Sequence, residues 1–87
     1  MTIKEFQDLI RRRYYPTDSK RGTAGTFMWF VEEVGELASA LGGTDPGNKE
    51  EEFADVLAWL CTLANINDVD LEKAIQKYTT RPVEGTK

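Results

Sequence analysis

Two stretches decide how this chain folds: EEVGELASAL, Glu32 to Leu41, and EEFADVLAWL, Glu51 to Leu60. In the first, Val34, Leu37, Ala38 and Leu41 continue a stripe begun by Phe27, Phe30 and Val31. In the second, Phe53, Val56, Leu57 and Leu60 lead on to Leu63 and Ala64. Apolar residues recurring three and four apart mark amphipathic α-helices. Each stretch also holds an acid, two spacers and another acid: Glu33 and Glu36, then Glu52 and Asp55. Residues three apart on a helix sit about 60° apart around its axis, so they share a face. Their Cβ atoms are about 5–6 Å apart, within reach of one hard cation. Packed side by side, the two helices would make the four acids converge and repel unless a divalent ion lay among them. With oxygen ligands only, Mg2+ is the first candidate and Mn2+ a substitute.

A solvated helix face also carries acids at this spacing, and a run such as Glu50, Glu51 and Glu52 suits a helix N-terminus. Glu32 with Glu36, and Glu51 with Asp55, are four apart and share a face equally well. The acids nevertheless lie at the edge of the apolar stripes, Glu33 beside Val34 and Asp55 beside Val56, rather than opposite them.

Outward from these stretches, the first helix is expected from Thr2 to about Arg13. Thr2 and Glu5 have capping-box spacing, and Arg11, Arg12 and Arg13 would load the C-terminal turn. Pro16, Asp18, Ser19, Gly22 and Gly25 predict a loop from Tyr14 to Gly25, made basic by Lys20 and Arg21. The second helix spans Thr26 to Leu41, with Gly42 and Gly43 as its stop. Gly35 inside it costs about 1 kcal/mol relative to Ala, which a close helix approach would explain. The third helix is expected near Asn48 or Lys49, with Asn48 as cap. The last starts near Asp68, carries Leu71, Ala74, Ile75 and Tyr78, and ends at Pro82. The expected fold is all-α: a four-helix, bundle-like protomer over residues 1–82, with a loose tail at 83–87.

Composition narrows the chemistry. The 87 residues are one domain with a marginal core, which favours a homo-oligomer. The absence of histidine excludes Ser-His-Asp and Cys-His catalysis and histidine-bound zinc or iron, and it disfavours a di-iron carboxylate bundle. Cys61 is the one cysteine, so no internal disulfide forms; on an apolar helix stretch it reads as a buried, inert thiol. A net charge of −4 does not suit duplex nucleic acid. No apolar run is long enough for a membrane span, and the N-terminus lacks a signal-peptide core, so the cytoplasm is the default location.

At EEVGELASAL and EEFADVLAWL the sequence resembles the MazG-like family of all-α nucleotide pyrophosphohydrolases. The gap between the two motifs, TFMWF ahead of the first, and the tail DLEKAIQKYTTRP, Asp70 to Pro82, are similar as well. The resemblance covers about three quarters of the chain. It implies a dimeric or tetrameric hydrolase of acid anhydrides that binds Mg2+ through an ExxE and an ExxD pair. Its reaction converts a nucleoside triphosphate to the monophosphate and pyrophosphate, as in clearing surplus or non-standard dNTPs. Glu33, Glu36, Glu52 and Asp55 fall on the metal-ligand positions, and Lys77 falls near a basic phosphate-contacting position. Glu33 or the adjacent Glu32 is the candidate to activate water. Lys77, Arg81, Lys20 and Arg21 are candidates for the phosphates, with ordinary surface charge as the competing reading. Trp29 is a candidate for stacking on the base, as are Phe27 and Trp59; for both tryptophans, oligomer contact competes. The alternative function is a non-catalytic helical oligomerisation or regulatory module.

Overall fold

The computed structural model describes residues 1–79, so Arg81, Pro82 and the 83–87 tail lie outside the described residues. Helix α1 runs Ile3–Leu41, α2 runs Pro46–Ile66, α3 runs Leu71–Ala74, and a 3-10 turn covers Ile75–Tyr78. The described residues are thus all-helical, with no strand among them.

The loop expected from Tyr14 to Gly25 is helical instead. Helix α1 passes through Pro16 and departs from helical angles at Gly22, where φ is 79° and ψ 174°. That conformation is essentially reserved for glycine. Gly22 divides α1 into two limbs, residues 3–21 and 23–41. Local turn residues mislead here because distant bonds hold the helix: Thr62 Oγ1 donates to Asp18 at 3.0 Å. Arg11, Arg12 and Arg13 therefore lie mid-helix, not at a C-terminus, and Arg11 Nη1 donates to the Asn65 carbonyl at 3.4 Å.

The capping box at Thr2 and Glu5 forms as the spacing predicts. Helix α2 starts two to three residues earlier than expected, because Asp45 rather than Asn48 is the cap and Pro46 opens the first turn. Asp45 Oδ1 accepts from the Gly47 and Asn48 amides at 3.0 and 3.3 Å. The last helix is shorter than expected. It begins at Leu71 behind an Asp70 cap and tightens to 3-10 geometry at Ile75.

The two limbs of α1 and α2 form the main packing. Among the described residues the buried apolar ones are few: Ile10, Ala40, Cys61 and Ala64. Gln7, Asp18, Thr26, Thr62 and Asn65 are buried as well, and each is hydrogen-bonded. Gln7 Nε2 donates to Asn65 Oδ1 at 3.0 Å and to the Val69 carbonyl at 2.7 Å, while its Oε1 accepts from the Leu71 amide at 3.0 Å. One side chain on the first limb thereby ties α2 and α3 together.

Much of the expected apolar face stays open. Phe27, Val31, Val34 and Leu41 on the second limb are exposed, as are Phe53, Leu57 and Leu60 on α2. Two helices meeting along one seam bury only part of such wide stripes. Gly35 does not mark a close helix approach within the chain: a Cβ there would meet nothing within 4 Å.

Candidate metal centre

The second limb of α1 supplies Glu33 and Glu36, and α2 supplies Glu52. One carboxylate oxygen from each lies within 4.8 Å of the others. Asp55 follows Glu52 by three residues, and its charge acts on both Glu33 and Glu52. The converging group is Glu33, Glu36 and Glu52; Asp55 is not part of it and acts there through its charge. Glu32 and Glu51 are exposed and reach it only through their charges on Glu33 and Glu52.

Oε2 of Glu33 and Oε2 of Glu52 are shut off from solvent and accept no hydrogen bond. Desolvation raises the Glu33 carboxyl from its ordinary 4.5, and the charges of Glu36, Asp55, Glu52 and Glu32 add to the rise. Desolvation raises Glu52 too, followed by the charges of Glu36, Asp55 and Glu51. No Lys or Arg among the described residues pairs with the group: the ion pairs there are Lys4–Asp70 at 3.6 Å and Asp18–Arg21 at 3.1 Å. Nor does the helix dipole account for Glu52. With α2 starting at Pro46, its first turn holds no acid, and the dipole's influence fades beyond that turn. Hard anionic oxygens, two of them orphaned, without a counter-cation fit a divalent metal ion.

The MazG nucleotide pyrophosphohydrolase domain matches residues 22–83. The dATP/dGTP diphosphohydrolase of Cyanophage S-2L is 35% identical over 75 residues, 86% of this chain and 68% of that protein. The chain belongs to the MazG nucleotide pyrophosphohydrolase family. It is accordingly a hydrolase acting on nucleotide anhydrides.

In this MazG chain the other candidate residues scatter. Lys20 is exposed on the first limb. Lys77 lies in the 3-10 turn with its Nζ 4.8 Å from the Tyr78 ring centroid. Trp29 stacks on Trp59, with centroids 6.1 Å apart and planes 14° apart. Among the described candidates, Arg21 enters a built environment. Its guanidinium lies 5.0 Å from the Trp59 ring centroid, and Nη1 donates to Asp18 at 3.1 Å and to Thr26 Oγ1 at 3.4 Å. A cavity of about 370 Å3 opens there, lined by Ile10, Tyr14, Asp18, Arg21, Trp59 and Thr62, and it reaches Asp55.

Asp18, Thr62 and Gln7 carry no helical-periodicity signal and were not candidates from sequence. Asp18 reads locally as a turn residue, and its partner Thr62 lies 44 positions away. Cys61 is buried, and desolvation raises its thiol above 9.0, which suits an inert role. No helix among the described residues is long and apolar enough to cross a membrane.

Proposed function

We propose that this protein is a Mg2+-dependent nucleoside triphosphate pyrophosphohydrolase, converting an NTP or dNTP to its monophosphate and pyrophosphate. The carrying observation is the uncompensated acid group, in which Glu33 and Glu52 each hide an unpartnered oxygen. In this reading Glu33, Glu36, Glu52 and Asp55 hold the metal, with Mn2+ as a substitute. A bound Mg2+ supplies charge neutralisation of the phosphates and a lowered pKa for water.

The residues of the chain do the rest. Glu33, whose carboxyl is already raised, or Glu32 beside it, takes the proton of the attacking water. The water oxygen bonds to the α-phosphorus as the bond to the bridging oxygen breaks, and pyrophosphate leaves. Lys20, Lys77 and Arg81 are the cations assigned to the outer phosphates, and Arg21 and Trp29 belong to the substrate side near Trp59. The cyanophage relative is named for dATP and dGTP, so purine deoxynucleotides head the list of substrates. The open apolar face of Phe27, Val31, Val34, Phe53, Leu57 and Leu60 supports a homodimer or homotetramer, which sedimentation would establish. A cytoplasmic role in clearing surplus or non-standard nucleotides is consistent with these features.

The test is incubation with a nucleotide panel and Mg2+, with pyrophosphate and orthophosphate measured separately. Monophosphate with pyrophosphate is expected, and no product from any nucleotide would defeat the reading. Glu36→Ala and Asp55→Ala should each abolish turnover while helical circular dichroism persists.

A further inference from the structure

We propose that the cavity beside Asp55 is a nucleobase pocket in which Arg21, held in place by Asp18, reads the O6/N7 edge of guanine. The inference rests on the pyrophosphohydrolase function above and names its preferred base.

The setting of Arg21 is built rather than incidental. Asp18 is 4% exposed, and both its oxygens are engaged: Oδ1 by Arg21 at 3.1 Å, Oδ2 by Thr62 at 3.0 Å. The fully buried Thr26 accepts a second bond from the same Arg21 nitrogen. Gly25 makes room for the arginine stem, since a Cβ there would approach Arg21 Cγ to 3.1 Å. The guanidinium is thus fixed by two acceptors on Nη1, an aromatic ring and a missing side chain. Its Nη2 and Nε donors have no protein acceptor among the described residues, and together they form a fork for a bidentate acceptor.

Charge decides what that acceptor is. Asp18 cancels the arginine, and Asp55 stands on the same cavity wall, so a polyphosphate gains no net attraction there. A neutral flat ring meets better walls in Ile10, Tyr14 and Trp59. Arginine pairs in a bidentate manner with guanine O6 and N7, whereas adenine sets an amino donor where O6 would be. Asp18 is then a positioning residue and Arg21 the one that touches the base.

The experiment uses the full chain with Mg2+ and compares dGTP, dITP, 7-deaza-dGTP, dATP and dCTP. Hypoxanthine keeps the O6/N7 edge, so dITP should match dGTP. Loss of N7 or exchange of O6 for an amino group should lower kcat/KM about tenfold, chiefly through KM. Arg21→Lys and Asp18→Asn should bring dGTP and 7-deaza-dGTP to parity. A purely structural role would instead lower all five nucleotides by one factor and leave their ratios intact. Tryptophan fluorescence titration with dGMP and dAMP in EDTA reads the pocket without turnover; dGMP should bind more tightly in the native chain and equally in Arg21→Lys. Preference for dATP or dCTP, indifference to N7, or unchanged ratios in both variants would overturn the assignment. Absence of turnover for every nucleotide would defeat the pyrophosphohydrolase reading, and the dGMP titration would still decide the pocket. Should Asp18→Asn fail to fold, Arg21→Lys and the 7-deaza comparison in the native chain carry the test.

Discussion

Replacing Gln7 by Met tests whether the polar seam between α1 and the C-terminal part of the chain contributes stability. Met keeps the length and volume of the side chain but neither donates nor accepts strongly. Three bonds go: to Asn65 Oδ1, to the Val69 carbonyl, and from the Leu71 amide. Asn65 is 4% exposed, so its oxygen keeps a full desolvation penalty, whereas the Val69 and Leu71 groups are part-buried and recover water in part. At about 1–3 kcal/mol for each buried group left unmatched, one full and two partial penalties come to roughly 3–4 kcal/mol. The assay is urea unfolding of both proteins at one protomer concentration, with amide exchange followed at Leu71. The midpoint should fall with an unchanged slope, and Leu71 should lose protection first. A loss below about 1 kcal/mol, the scale of a single ordinary hydrogen bond, with Leu71 still protected, would refute the seam as an anchor of α3.

Mg2+ or Mn2+ should raise Tm. At a hundredfold excess over Kd the gain is about 2.7 kcal/mol, reversed by EDTA and absent in Glu36→Ala/Glu52→Ala; a calorimetric scan unmoved by either ion would contradict the metal centre. Without metal, Glu33 and Glu52 are raised above 4.5, so the folded chain binds more protons than the unfolded one just above that pH. Their contribution is therefore favourable at lower pH and is lost as pH rises through the raised values, a slope in urea midpoints that Mg2+ should flatten. Glu5 and Asp70 are lowered and act oppositely, losing their contribution only as pH falls through their depressed values. Gly22→Ala should cost about 1–3 kcal/mol through its backbone angle alone, because a Cβ there meets nothing within 4 Å. Gly35→Ala, equally unobstructed but helical, should stabilise by about 0.5–1 kcal/mol, and thermal melts of the pair separate the two cases.

The acid group was legible because helical period places Glu33 with Glu36, and Glu52 with Asp55, whatever the exact helix ends. Spacing alone leaves Glu32 and Glu51 as rivals, since three and four residues share a face; the acids that converge are Glu33, Glu36 and Glu52, and Asp55 is not among them. The loop expected from Tyr14 to Gly25 is helical because the turn preference of Pro16, Asp18 and Ser19 is local, and the bond that rewards the helix comes from Thr62. The start of α2 follows Asp45 and Pro46, a cap and first-turn pair that competes in the sequence with Asn48. The apolar stripes were read correctly as stripes, but periodicity does not say whether one chain covers them. Most of the cavity was illegible, because it joins the first limb of α1 to the second half of α2 and neither carries a motif for it.

Because Gly22 is the only break in α1, every residue beyond it is phased to the same spiral. An extra residue between Gly22 and Glu33 would swing both acids by about 100° around the limb axis, away from Glu52. The arginine fork, on the other side of the bend, would stay where it is. The spacing from bend to acids is therefore fixed by the helix itself, whereas the non-helical connection after Leu41 imposes no such phase.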